Sequence, residues 1–221
     1  MSELLSAIRD NVIIGNSDLK SPIHKGERGV SELVQEALDT GIAPQDILNE
    51  GLVAGMDVVG RKFKANEFYV PEVLIAARAM KAGMALIKGP LAATGAKPVG
   101  TLIIGTVKGD LHDIGKNLVA MMMEGAGFQI VDLQIDVSAE KFIAAMKEHP
   151  GAVVGMSALL TNTMVGMEGN IRAFRDAGLS NPVMIGGAPV DQEFADKIKA
   201  DGYAKDAATA VEVAKRLLAI S

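Results

Sequence analysis

The 221-residue chain has no cysteine and no tryptophan, only two tyrosines and only three histidines. Lack of cysteine excludes disulfides, thiolate zinc sites, iron–sulfur ligation and a thiol nucleophile. With so few histidines and no H-E-x-x-H pattern, a metal site built from protein ligands alone is hard to assemble, so any metal is expected to arrive inside a cofactor. Aromatic residues make up 4% of the chain, so its 49% hydrophobic content must build an aliphatic, methionine-rich core, enough for one large domain or two small ones. A net charge of −5 offers no nucleic-acid-binding surface. The start Met1-Ser2-Glu3-Leu4 lacks a basic-then-apolar leader, and no apolar run reaches membrane-spanning length. A cytoplasmic protein with neither nucleic acid nor membrane as partner is expected.

Chemistry is concentrated between Gly105 and Asn117. Val99-Gly100-Thr101-Leu102-Ile103-Ile104 reads as a buried strand, Leu118 to Met123 reads as helix, and the glycine-rich turn between them is where such units bind ligands. Neither nucleotide motif fits. A P-loop needs four residues between its first glycine and the Gly-Lys pair, followed by a hydroxyl residue, whereas Asn117 follows Lys116 and the spacing from Gly109 to Gly115 is too long. Glycines at 105, 109 and 115 do not form G-x-G-x-x-G either. The turn does hold His112 with Asp110 two residues before it and Gly115 three after. A loop imidazole can ligate a transition metal through one nitrogen while a carboxylate takes the proton on the other. Equally, His112 can be a polar loop residue beside a helix N-cap, Asp113, with the helix starting at Ile114. These residues alone do not decide between the two.

The remainder of the second half alternates strands with helices. Strands are predicted at 128–133, 152–156, 182–185 and 202–204, and helices at about 115–126, 138–148, 163–177 and up to Ile220. This specifies a doubly wound, flavodoxin-like parallel sheet of five strands, with ligands beyond the strands' carboxyl ends. Those ends carry Ser157-Ala158-Leu159-Leu160-Thr161, Gly186-Gly187-Ala188 and Ala204-Lys205-Asp206. Their small residues leave a slot between backbone segments. In an arbitrary α/β protein Gly186-Gly187 is a tight turn and Ser157 a helix cap; Lys205 and Asp206 read as rim charges, and His24 and His149 as surface residues.

The first ninety residues predict four helices: 2–14, 30–40, 44–64 with Pro44 in its first turn, and one opened by Pro71 that runs at least to Ile87. Their apolar stripes imply an antiparallel bundle. Residues 17–29 form a polar loop. The segment 89–98, with two prolines and small residues, reads as a linker, which divides the chain into a helical domain 1–90, a linker 91–98 and an α/β domain 99–221.

Gly109-Asp110-Leu111-His112-Asp113-Ile114-Gly115-Lys116-Asn117 resembles the D-x-H-x-x-G signature of cobalamin-binding domains. The resemblance implies that the cofactor binds base-off, with His112 as lower axial ligand of cobalt and Asp110 accepting its other N–H. Gly109, Leu111, Asp113, Ile114 and Gly115 would then line the cofactor. Ser157-Ala158-Leu159 and Gly186-Gly187 match the family's S-x-L and G-G elements, which line the channel for the nucleotide tail, with Ser157 and Thr161 as hydrogen-bonding residues. Gly55 to Phe63 with Phe68 to Leu74 resembles the helical cap of corrinoid-dependent methyltransferase systems, placing Met56, Phe63, Val70 and Leu74 over the upper face of the corrin.

By that resemblance the chain is a methyl carrier, cycling between methylcob(III)alamin and cob(I)alamin, and not a complete enzyme. Its partners are a substrate-specific methyltransferase, a second methyltransferase using tetrahydrofolate or coenzyme M, and a reductive activator. Three other classes share parts of the pattern. A subunit of an adenosylcobalamin-dependent mutase would normally lack this cap, a cobalamin-dependent regulator needs a DNA-binding head that the acidic first half does not offer, and a cofactor-free flavodoxin-like interaction protein requires the motif matches to be coincidental.

Overall fold

The computed structural model describes residues 2–95 and 97–220. The chain divides into two compact units, 1–97 and 98–221.

In the helical unit, α1 (Glu3–Ile14) starts where the Ser2 hydroxyl accepts the Leu5 N–H, and ends at Gly15 in the left-handed region at φ 74°. A side chain at Gly15 would also meet Ile75 at 2.6 Å. After α2 (Val30–Asp39) comes a continuous helical run: α3 (Pro44–Asp46), a π-helical segment (Ile47–Val53) and α4 (Ala54–Lys64). The sequence reads this run as one regular helix. Its π segment appears where glycines let α1 come close: a Cβ on Gly51 would sit 2.9 Å from Ile8, and one on Gly55 2.7 Å from Val12. The last helix of the unit, α5 (Val70–Ala93), has Pro71 in its first turn. It continues past Pro90 into the segment that reads as a linker, because Ile87 and Leu91 remain buried and carry the helical face onward. Ile8, Val12, Val34, Leu52 and Val73 are fully buried in this unit.

The second unit is a five-stranded, all-parallel sheet in the order β2-β1-β3-β4-β5. Its strands are β1 (Thr101–Thr106), β2 (Gln129–Asp132), β3 (Val153–Ser157), β4 (Val183–Gly186) and β5 (Gly202–Ala204). Both faces are covered, so the central strands are mostly apolar along their length. Ile103, Val154, Met156 and Ile185 point into one core with Phe142, Met146, Met167 and Phe174, which α7 (Ala139–Glu148) and α9 (Gly166–Asp176) supply. Leu102, Ile104, Val153 and Met184 point into the other, against α6 (Ile114–Gly125) and α11 (Ala207–Leu217). Methionines and aliphatics make most of both cores, and Phe142 and Phe174 pack at 5.8 Å between ring centres.

Two local features differ from the expectation. A predicted helix at 163–177 is instead a short α8 (Thr161–Met164) followed by α9, broken at Val165. A further helix, α10 (Gln192–Ile198), stands where none was predicted, capped by Asp191, whose carboxylate accepts the Phe194 N–H. Asp206 is likewise a cap and not a rim charge, since it accepts the Thr209 N–H at the start of α11.

Candidate functional site

In this strand order β1 and β3 are neighbours from which the chain leaves in opposite directions, the position where doubly wound sheets open a crevice at their carboxyl ends. One carboxylate spans it. Asp110, in the loop after β1, is fully buried and accepts five hydrogen bonds. Its Oδ1 takes the His112 Nδ1–H at 2.7 Å and the His112 backbone N–H at 3.1 Å. Its Oδ2 takes the Leu159 N–H at 2.8 Å, the Leu160 N–H at 3.3 Å and the Thr163 hydroxyl at 2.7 Å, all beyond β3. Burial pushes the Asp110 carboxyl up. The donors, Thr163 first, then Leu159 and His112, outweigh it and hold the group below the usual carboxylate range. Asp110 is therefore ionised and can only accept, which fixes the proton on Nδ1 of His112 and leaves the Nε2 lone pair free. The His112 side chain is 51% exposed. A single imidazole nitrogen of set tautomer faces out of the loop, a donor suited to one axial position of a metal carried in a cofactor.

The surrounding surface is apolar and open. Leu111 is 68% and Ile114 77% exposed, and Leu159, Leu160 and Ile135 are exposed beside them. Clustered apolar exposure around one polar donor suits a broad, largely apolar ligand. At Gly115 an added Cβ would meet nothing, whereas Gly109 has φ 82° and is needed for the turn itself. Further along the strand ends, Ser157 is half-buried and pairs with Thr106 and Gly186 in the sheet. Gly187, at φ 128°, would place a Cβ 1.8 Å from the Ala158 carbonyl oxygen, so two backbone segments are in contact there with no room for any side chain. Thr161 is exposed at the start of α8.

Several supports of the His112 loop carry no motif. Thr106, buried at the end of β1, donates its hydroxyl to the His112 carbonyl at 2.8 Å. Lys116, with a side chain 1% exposed, donates to both Asp132 oxygens at 2.7 Å and to Asn117 Oδ1 at 2.8 Å, fixing the start of α6 to the end of β2. Asp113 stands at the N-cap position of α6 but does not cap the backbone; its carboxylate accepts from the Asn117 side chain. Thr163 and Asp136 complete the set and have no sequence signal beyond their residue types.

Of the residues proposed from sequence, 109–115, Ser157, Leu159, Thr161, Gly186 and Gly187 thus meet at the carboxyl end of the sheet. Met56, Phe63, Val70 and Leu74 belong to the helical unit. There Val70 and Leu74 are exposed and Phe63 is partly so, but Met56 is buried at 2% and offers no free surface.

Residues 100–212 match the B12 binding domain family, and residues 24–88 match a second family of the same description. A dimethylamine corrinoid protein of Methanosarcina barkeri is 40% identical over 221 residues, spanning 98% of each chain. This chain belongs to the corrinoid proteins. A trimethylamine corrinoid protein of the same organism is 43% identical over 191 residues, 85% of this chain and 88% of that one. Among solved structures, one chain of the methanol:cobalamin methyltransferase complex of M. barkeri matches at a TM-score of 0.85 and 30% identity, covering 100% of this chain and 81% of that one. A cobalamin-binding protein from Desulfitobacterium hafniense matches at 0.76 and 26% identity, covering 98% and 99%. The donor chemistry fits the family's cofactor: this corrinoid protein presents one free imidazole nitrogen amid exposed leucine and isoleucine. Among the described residues no helix is long and apolar enough to cross a membrane.

Proposed function

We propose that the protein carries a methyl group on a bound corrinoid, from a substrate-specific methyltransferase to a second methyltransferase acting on tetrahydrofolate or a thiol such as coenzyme M. One observation carries this reading: the exposed imidazole of His112 has its Nδ1 proton held by a buried, ionised Asp110, in a chain whose corrinoid-protein relatives match nearly its full length. That full-length match, helical half included, favours a methyl carrier over a mutase subunit or a regulator.

A bound corrinoid supplies a cobalt centre able to accept and release a methyl group. The chain's own residues hold and tune it. His112 Nε2 would hold the cobalt of a corrinoid bound base-off, and Asp110 would raise the basicity of the ring by accepting from Nδ1. Because Asp110 stays ionised it can only accept, so the Nδ1 proton stays on the ring and Nε2 would stay available to the metal. Leu111, Ile114 and Leu159 provide the apolar floor, Ser157 and Thr161 offer hydroxyls, and Gly186 and Gly187 bound the slot for the displaced nucleotide tail. By likeness to the family, the helical unit would serve as the cap, with Phe63, Val70 and Leu74 as its candidate residues. A reductive activator is the third partner.

Electron paramagnetic resonance of the cob(II)alamin-loaded protein tests the ligation. Wild type is expected to show coupling to one axial nitrogen, and His112→Ala to lose it while still retaining cofactor; an unchanged spectrum in His112→Ala overturns the assignment. For the carrier role, incubation with a methylamine or methanol methyltransferase and isotope-labelled substrate is expected to place label on the wild-type protein.

A further inference from the structure

The turn after β2 adopts backbone conformations that its residues do not favour. Gln134 at φ 72° and Asp136 at φ 53° both occupy the left-handed region, two non-glycine residues within three positions. Both grip the chain that carries His112. The Gln134 carbonyl accepts the Thr106 N–H at 3.0 Å. Asp136 donates its own N–H to the Asp110 carbonyl at 3.1 Å, and its Oδ1 accepts the Gly109 N–H at 2.7 Å. One residue thus brackets the Gly109–Asp110 dipeptide at both ends. Since β1 lies between β2 and β3, Asp110 is held from both sides: its carboxylate by Leu159, Leu160 and Thr163 beyond β3, its backbone by Asp136 beyond β2. With the carboxylate anchored, the direction of the His112 ring depends on the backbone that joins the two residues. Strain kept at a place where it makes two cross-loop bonds points to a role for that place.

We propose that Asp136 is a positioning residue for His112, setting the stance of the imidazole by clamping the Gly109–Asp110 dipeptide. The proposal deepens the axial-ligand reading and rests on it. Two substitutions separate the bond from the backbone. Asp136→Gly removes the acceptor and tolerates the positive φ, whereas Asp136→Asn keeps an oxygen acceptor and also tolerates it.

In the cofactor-free full-length protein, nuclear magnetic resonance is expected to show the Gly109 amide of Asp136→Gly exchanging roughly ten- to a hundredfold faster than in wild type, as for loss of one charge-assisted bond. The His112 ring should pass from a single Nδ1–H tautomer to a mixture, and Asp136→Asn should match wild type in both. In the cob(II)alamin-loaded protein, the nitrogen-coupled fraction of the resonance signal should fall in Asp136→Gly and persist in Asp136→Asn. A ring tautomer and nitrogen-coupled fraction unchanged in Asp136→Gly overturn the proposal, even if its melting temperature drops. So does an Asp136→Asn protein as impaired as Asp136→Gly. If wild type itself shows no nitrogen coupling, it is the ligation by His112 that fails, and the tautomer in the cofactor-free protein decides the case of Asp136.

Discussion

A buried carboxylate that satisfies five donors is both a functional group and a structural one, and its two roles can be measured apart. Asp110 titrates below its ordinary value of 3.8 in the folded protein, so folding stability gains from its ionisation above that pH. The gain shrinks as pH falls below 3.8 toward the depressed folded value. Denaturant midpoints at pH 7 and pH 3 are expected to differ more in wild type than in Asp110→Asn. At pH 7 the Asn variant should be less stable by about 1–3 kcal/mol, because an amide cannot serve all of those donors. Thr163→Val, nearly isosteric, should cost about 1–2 kcal/mol by removing the hydroxyl that Asp110 accepts. If Thr163→Val unfolds at the wild-type midpoint, that bond contributes nothing. Asp110 and His112 are legible in the sequence because they lie two residues apart in a loop after an obvious strand. Thr163 lies 53 residues from Asp110 and Asp136 lies 27 from Gly109, so their roles exist only once the sheet has brought three loops together.

Among the elements, those made from long patterned stretches were readable and those set by packing were not. Four of the five strands follow from β-branched or methionine-containing runs bounded by glycine or proline, the three-residue β5 (Gly202–Ala204) has no such run, and the helical bundle follows from its apolar stripes. Helix α10 is short, rich in charge and half-exposed, with too few apolar positions to establish a period. The π segment at Ile47–Val53 has no signal of its own, since its cause is the close approach of α1 to Gly51 and Gly55. Crowding at these contacts is testable. Gly51→Ala places a Cβ 2.9 Å from Ile8 and should destabilise the protein by about 1–3 kcal/mol in urea titrations. Gly187→Ala should do at least as much, because the carbonyl of Ala158 cannot move aside as a flexible side chain can, and φ 128° strains any alanine there. A Gly187→Ala protein with wild-type stability would mean that this approach of backbone segments is looser than 1.8 Å implies.

Considered whole, the molecule is two units, each with a core of its own. A polypeptide of residues 98–221 carries the entire hydrogen-bond network of Asp110, both faces of the sheet and all of the first family match. It should fold alone with a single cooperative urea transition and give the same His112 ring tautomer as the full-length chain. A broad, non-cooperative transition for 98–221 would show that the helical unit is needed for its fold.

The ion pair of Lys116 with Asp132 bears on the order in which this half assembles. An ammonium almost wholly withdrawn from water is strongly unfavourable until its carboxylate is in place. Helix α6 is therefore expected to settle onto the sheet only together with the pairing of β2 and β1, although it precedes β2 in the chain. In the folding transition state the two elements should be formed to the same degree, with matching φ-values for substitutions at Leu118 and Ile130. The segment that carries His112 is thus expected to take its final shape only as the second strand arrives.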